Sequence, residues 1–421
     1  MKTTVDRFYL FYVLCSASTI ISTVFGGLGT TESSGHGSLL HSDTSNPLLF
    51  ALTVILFGGT LLISVPVLPR ITNMLLQVRV LTSLYALAIV SIAWSATPLV
   101  TFRSTMYICF YLLAAAYLAV RFRPQELFDN LANSTVLIAL GSVVAQMIAP
   151  ANNEGVPGWT GLYGQKNWLG MGMAIGLLAL VAVNRRWNYY RIFSFMLCFG
   201  VLIFSQSATA ILCVVVGLAN FLVFRLQKAE RRIFLIVSGC LVSILYLLVP
   251  NLIDVVLGIS GKDSTLTGRD VIWAFSLKSI AEHPFFGVGY QAFWNPESDS
   301  AYAVKQFLGW NPGYAHNGFI DITLGLGLAG LILLLFLLWD AGKRALRTTH
   351  ADSKAGLWLL VVLEIMLLHN IAEVDFMLVS PLWFIFTLAY LSSWFSEREE
   401  MLERVLEPVL HELPLETPAV R

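Results

Sequence analysis

The chain has 421 residues, of which 57% are hydrophobic and only 12% charged, and its mean hydropathy is +0.73. Soluble domains average about 45–50% apolar and about 25% charged residues, so these figures exclude a soluble globular enzyme, a disordered chain and a secreted disulfide scaffold, and leave a polytopic inner-membrane protein. The 26 basic residues balance 26 acidic ones, so no net positive field exists to hold a nucleic-acid backbone.

A helix needs about 20 mostly apolar residues to cross roughly 30 Å of hydrocarbon. In chain order such runs fall at 8–27, 48–68, 79–97, 104–121, 130–150, 168–184, 192–204, 208–224, 233–250, 317–339, 355–369 and 377–395. The sequence therefore predicts an all-α polytopic protein of about twelve transmembrane helices. Its parts are helices over 1–250, one long loop over 251–316, helices over 317–395 and a solvated cytoplasmic tail over 396–421. Lys2 and Arg7 precede the first run as they would in a signal peptide, but no A-x-A cleavage site follows, and the run is read as a span. Cys15, Cys109, Cys198, Cys213 and Cys240 all sit in apolar runs without a CxxC pair, and read as small buried hydrophobes. No zinc, P-loop or dinucleotide signature occurs.

Orientation follows from the basic residues, which concentrate on the cytoplasmic side. With the N-terminus inside, twelve spans leave 20 of the 26 cations inside and put both termini in the cytoplasm. The six outward cations are Arg103, Lys166, Lys262, Arg269, Lys278 and Lys305, and four of these lie in the 251–316 loop.

The residues suited to chemistry are predicted on that outer side. Apolar positions 271, 272, 275 and 279–281 suit a short amphipathic helix that Pro284 ends. Arg269 opens this helix, where free N–H groups and the positive dipole end also favour a phosphate. A guanidinium there can bind a phosphate bidentately, or pair with Asp270 or a lipid headgroup. His316, beside Asn317 and near Asp321, is placed to take a proton near neutral pH, or to cap the following helix. His283 and His369 are weaker candidates. The glycine-rich 161–164 stretch leads into Gln165, Lys166 and Asn167, which read as ligand contacts or as a turn with a helix cap and a snorkelling lysine. Ser205 and Ser207 form an outward turn that could be simple capping. Arg103 at the outer end of its span reads equally as a contact to an anionic group or as a snorkelling cation.

The strings GLYGQKN (161–167), SQSATA (205–210), TGRDVIWAFSLKSIAEHPFFGVGYQAFW (267–294) and AHNGFIDITLGLGLAGL (315–331) stand in this order. In order and spacing they resemble the O-antigen ligase and polysaccharide polymerase superfamily of bacterial inner membranes. The run from Gly268 to Trp294 is most similar to its ExoQ-like exopolysaccharide polymerase branch. The resemblance spans about 160 to 331. It implies a GT-C-like glycosyltransferase working at the periplasmic face without metal or cofactor, on a glycan donor carried by undecaprenyl diphosphate. It further implies that Arg269 binds the diphosphate, with Lys166 and Arg103 as further cations, and that His316 is the base. Gln165, Asn167, Ser205, Ser207, Asn317 and Trp273 become substrate contacts.

Polymerisation of lipid-linked repeat units in exopolysaccharide biosynthesis is the function this implies, with other polysaccharide export proteins as partners beside the bilayer. The alternatives are ligation of finished glycan to a lipid acceptor, transport of a lipid-linked oligosaccharide, and a non-catalytic role in an export assembly. A transporter would carry ionisable groups near the midplane, where Glu364 is the main acidic candidate.

Overall fold

The computed structural model describes residues 47–148, 158–163, 165–182, 187–226, 268–295, 298–310, 312–350 and 354–394. The expected spans 8–27 and 233–250, the loop stretch 251–267 and the tail 396–421 lie outside the described residues.

Every regular element among the described residues is helical. Before the long loop come α1 (Pro47–Ser64), α2 (Leu68–Gln77), α3 (Arg79–Val90), α4 (Pro98–Arg121), α5 (Pro124–Ile148), α6 (Lys166–Ala182), α7 (Tyr189–Ser205) and α8 (Ala208–Leu226). The loop carries α9 (Arg269–Glu282) and α10 (Asp299–Leu308). It is followed by α11 (Gly318–His350), α12 (Lys354–Ala372) and α13 (381–394).

Local chemistry sets many of these bounds. Prolines open α4 and α5, at a position whose N–H would have no helical partner anyway. The Asn188 side chain caps α7 by accepting from Arg191 N. Ser298 caps α10 in the same way through Ala301 N, and Gly309 ends α10 in the left-handed conformation.

Among the described residues, four helices are long and apolar enough to cross a membrane: Phe57–Gln77, Pro98–Arg121, Glu126–Ile148 and Gly318–Arg347. This corrects the expectation of twelve. Five other apolar helices have 10–17 residues, and at about 1.5 Å per residue even the longest of these rises only about 25 Å. An apolar run in the sequence includes turn residues that the fold does not keep helical. The run 79–97 shows this, since α3 stops at Val90 and a tight turn follows over Ser91–Ala93. Conversely the expected loop between the second and third spans is α2, an amphipathic helix burying Ile71 and Met74. The chain is an all-α, multi-pass membrane protein.

The core is continuous. Helix α6, buried along most of its length, packs against α5, α7 and α8, while α11 packs on α12 and α3. On α13 the largest fully buried side chains are Trp383, Phe384, Phe386 and Tyr390. The buried Trp383 indole finds a partner by donating to the Tyr85 hydroxyl at 2.9 Å, as a buried polar tip must.

One interlock joins the long loop to the bundle. Helix α11 breaks at Gly327 (φ 66°, ψ −166°). The segment after α9 lies in the break and pairs with the backbone groups on either side. Val288 N donates to Leu324 O and Gly289 N to Gly325 O (3.1 and 3.0 Å), while Leu328 N and Ala329 N donate to Pro284 O and Phe285 O (2.8 and 3.1 Å). Irregular backbone inside a membrane protein persists only where protein satisfies it. A Cβ on Gly327 would lie 2.3 Å from the Phe285 carbonyl carbon, and one on Gly287 would lie 2.6 Å from that of Gly325. Only glycine permits this approach together with positive φ.

Candidate active site

The interlock places the 314–317 turn at the head of α11. Asn317 caps that helix, its side-chain oxygen accepting from Phe319 N and Ile320 N at 3.0 and 3.1 Å. The capping role considered for His316 therefore belongs to its neighbour, and the imidazole is left for other work. His316 itself adopts φ 49°, an uncommon conformation for a residue with a side chain. Two contacts to the preceding residue hold it there. Ala315 N donates to Asp321 Oδ1 at 3.0 Å, and the Trp273 indole of α9 donates to Ala315 O at 2.9 Å. Asp321 is fixed in turn by the Trp294 indole at 2.8 Å.

The centre of the site is Glu373, in the turn that follows α12. Its Oε1 accepts from Asn167 Nδ2 at 2.7 Å and lies 3.8 Å from Arg269 Nη2. Its Oε2 accepts from the Tyr314 hydroxyl at 3.4 Å and lies 3.5 Å from His316 Nδ1. Gln165 Nε2 donates to the same Tyr314 hydroxyl at 3.2 Å. The Tyr314 and His316 rings are 4.4 Å apart between centroids. Three segments distant in sequence thus converge on one carboxylate.

The turn bearing Glu373 is itself braced. His369 Nδ1 bonds the Asp375 carboxylate. Asn370 Oδ1 accepts from Asp375 N and Phe376 N at 2.8 and 3.0 Å, and Asn317 Nδ2 donates to Ile371 O at 3.2 Å.

The electrostatics follow from these contacts. Burial, the largest single influence on Glu373, pushes its carboxyl up. The close approach and charge of His316, with the charges of Arg269 and His369, together outweigh burial and hold the group down to about 2. Burial and then the Glu373 charge push the Tyr314 phenol well above its ordinary value, so it stays a donor. The Glu373 side chain is 8% exposed, while Arg269 and His316 keep 25% and 19%. The carboxylate is therefore an internal anchor, and the cation and the imidazole retain an open side.

Among the predicted residues, the structure brings Arg269, His316, Gln165 and Asn167 together, with Trp273 and Asn317 supporting them. Asn167 lies inside α6 and reaches Glu373 instead of capping the helix. Lys166 opens α6 beside them, its stem near Gly158. Ser205 and Ser207 stand apart from Glu373. Their turn is built locally, with Ser205 Oγ donating to Leu202 O at 2.6 Å and accepting from Ser207 N at 3.4 Å, and both pack on Gly170 of α6. Arg103 is exposed on α4 and does not join the group. Glu364, the acidic residue within an expected span, is buried against Asn220 of α8. Among the described residues no three His, Cys, Asp or Glu side chains gather as metal ligands would.

Sequence reasoning missed Glu373. The available signal was the stretch His369-Asn370-Ile371-Ala372-Glu373-Val374-Asp375, four polar residues between two apolar runs. Buried ionisable groups of this kind are costly unless paired.

These features define a multi-pass, all-α membrane protein with a charged and hydrogen-bonded group gathered at its helix ends. The family model described as O-antigen ligase matches residues 193–335, a stretch that holds Arg269, Trp273, His316 and Asn317. The chain is also 28% identical over 269 residues to the exopolysaccharide production protein ExoQ of Rhizobium meliloti (strain 1021). That match covers 60% of this chain and 62% of the relative. Over these stretches the chain is similar to the O-antigen ligase family and to an exopolysaccharide production protein, at low-to-moderate identity.

Proposed function

We propose that the chain is a polysaccharide polymerase, a glycosyltransferase that joins undecaprenyl-diphosphate-linked repeat units at the periplasmic face in exopolysaccharide biosynthesis. The observation that carries this reading is the meeting of Arg269 and His316 over Glu373. It sets a cation for a departing diphosphate beside a group able to accept a proton. The similarity to an exopolysaccharide production protein favours polymerisation. A GT-C-like bundle with both termini cytoplasmic completes the proposal.

In this mechanism the acceptor hydroxyl oxygen attacks the anomeric carbon. The bond from that carbon to the diphosphate oxygen breaks, and the diphosphate leaves with the electron pair. His316 takes the hydroxyl proton, a contribution of roughly 10²–10⁴-fold. Arg269 and Lys166 stabilise the charge that grows on the leaving group, which lowers the barrier more than it aids ground-state binding, and Arg103 remains an outward cation on α4 for longer-range attraction of the anionic donor. One displacement inverts the anomeric centre. Gln165, Asn167, Trp273 and Asn317 hold the frame, and Ser205 and Ser207 line the neighbouring turn. The cations provide the charge stabilisation, so the reaction proceeds without metal.

A ligase is the second reading, favoured by the family match over 193–335. Both reactions use the same donor and differ in the acceptor. The test is to incubate the purified protein in nanodiscs with undecaprenyl-diphosphate-linked repeat units and resolve the products on a gel. A ladder that survives EDTA and is lost in Arg269→Ala and His316→Ala is expected. No ladder, with one-step transfer when a lipid acceptor is added, would replace polymerase by ligase. Silence in both assays would overturn the transferase.

A further inference from the structure

Glu373 has no role in the mechanism above, yet the chain buries it and builds around it. A carboxylate inside a protein is unfavourable unless donors surround it. Here Asn167, Arg269 and the Tyr314–His316 turn face it from three separate segments. The imidazole shows why this matters. His316 Nδ1 is buried and makes no hydrogen bond, and the Glu373 carboxylate lies 3.5 Å away. The ring as a whole keeps 19% exposure, so the Nδ1 edge is turned inward and the opposite edge is the open one. The His316 backbone is fixed through Ala315 by Asp321 and Trp273.

We propose that Glu373 is a positioning residue of the transfer reaction, holding His316 with its Nδ1–H toward the carboxylate so that Nε2 takes the acceptor hydroxyl's proton. This rests on the transferase reading. The second nitrogen of a histidine decides which atom carries chemistry. When Nε2 gains the proton the ring becomes a cation, and the ionised carboxylate beside Nδ1 stabilises it. The other charged or titratable groups facing this pair are Arg269 from α9, Tyr314 from the same turn, Asp321 from α11 and His369 from α12.

The test is Glu373→Gln in the nanodisc assay, beside the full-length wild type and His316→Ala. Gln keeps the shape and removes the charge. We expect kcat to fall about 10²-fold while KM changes by less than about threefold, since no contact to substrate is lost. The acid limb of the kcat–pH profile should move, because the carboxylate that faces the ring at 3.5 Å is removed. Glu373→Asp should restore the position of that limb. A wild-type kcat in Glu373→Gln, or a drop equal at every pH with the limb unmoved, would overturn the proposal, the second result marking a purely structural knot. Loss in His316→Ala with full activity in Glu373→Gln sinks this inference and spares the transferase reading, whereas full activity in His316→Ala sinks both. Nitrogen-15 chemical shifts of labelled wild-type His316 give a check independent of any variant. A neutral ring protonated at Nδ1 supports the proposal, and one protonated at Nε2 overturns it.

Discussion

The Trp273 indole donates to the carbonyl of Ala315 at 2.9 Å, one residue before His316. Helix α9, which begins at Arg269, thereby also sets the backbone that presents the imidazole. Trp273→Phe keeps the ring contact and removes this one bond. The left-handed His316 backbone would lose one of its two restraints, at a cost of about 1 kcal/mol. We expect transfer to fall about fivefold, with the protein still in the membrane at wild-type level, as read by initial rates and immunoblot.

The interlock at Gly327 predicts a stability effect. Gly327→Ala would drive a Cβ into the Phe285 backbone at positive φ, and backbone on both sides has no room to yield. We expect it to cost several times the roughly 1 kcal/mol of a simple left-handed alanine. Gly309→Ala is the control, because its φ is 80° but nothing lies within 4 Å of the added Cβ. Thermal unfolding in detergent should place Gly327→Ala well below Gly309→Ala, and equal midpoints would refute the interlock as a stabilising feature.

Glu373 predicts the response to acid. Its carboxyl is held at about 2, below the ordinary 4.5. The folded state thus binds its proton less readily than the unfolded chain does. The stabilisation is complete above about pH 4.5 and is lost as pH falls toward 2. We expect the thermal midpoint to decline across that window in wild type and to decline less in Glu373→Gln.

Glu364 and Asn220 predict a contrast between two substitutions. Asn220 Nδ2 bonds Glu364 Oε2, while Glu364 Oε1 and Asn220 Oδ1 are buried without a hydrogen bond. Glu364→Gln supplies an amide N–H for the unpaired Asn220 oxygen, and should leave thermal stability equal or higher. Glu364→Ala removes one of the two acceptors of the buried Asn220 amide and opens a cavity, at a cost of about 2–4 kcal/mol. Transfer activity should persist in Glu364→Gln, and its loss would assign Glu364 a functional part.

Some of this was legible residue by residue. Apolar runs at 104–121, 130–150 and 317–339 fell on the helices over 98–121, 124–148 and 318–350, the last of which continues eleven residues past the apolar run, and Pro284 correctly marked the end of the helix opened by Arg269. The span count was less legible, because an apolar run does not say where a helix ends, and α2 and α3 divide their stretch differently from the hydropathy pattern. Arg269, His316, Gln165 and Asn167 stood out as polar groups beside glycine-rich turns at helix ends. Ser205 and Ser207 stood out as well, yet the Ser205 oxygen serves its own turn and Ser207 joins that turn through its backbone N–H.

By itself the sequence determined a helical, apolar, membrane-embedded chain and its family resemblance, since composition, periodicity and motif order are properties of the chain read locally. Only the tertiary structure decided that Glu373 is where Asn167, Arg269, Tyr314 and His316 meet. A carboxylate's partners depend on which helix ends the packing brings together. The bond from Asn167 to Glu373 joins residues 206 positions apart, and no local pattern encodes that distance.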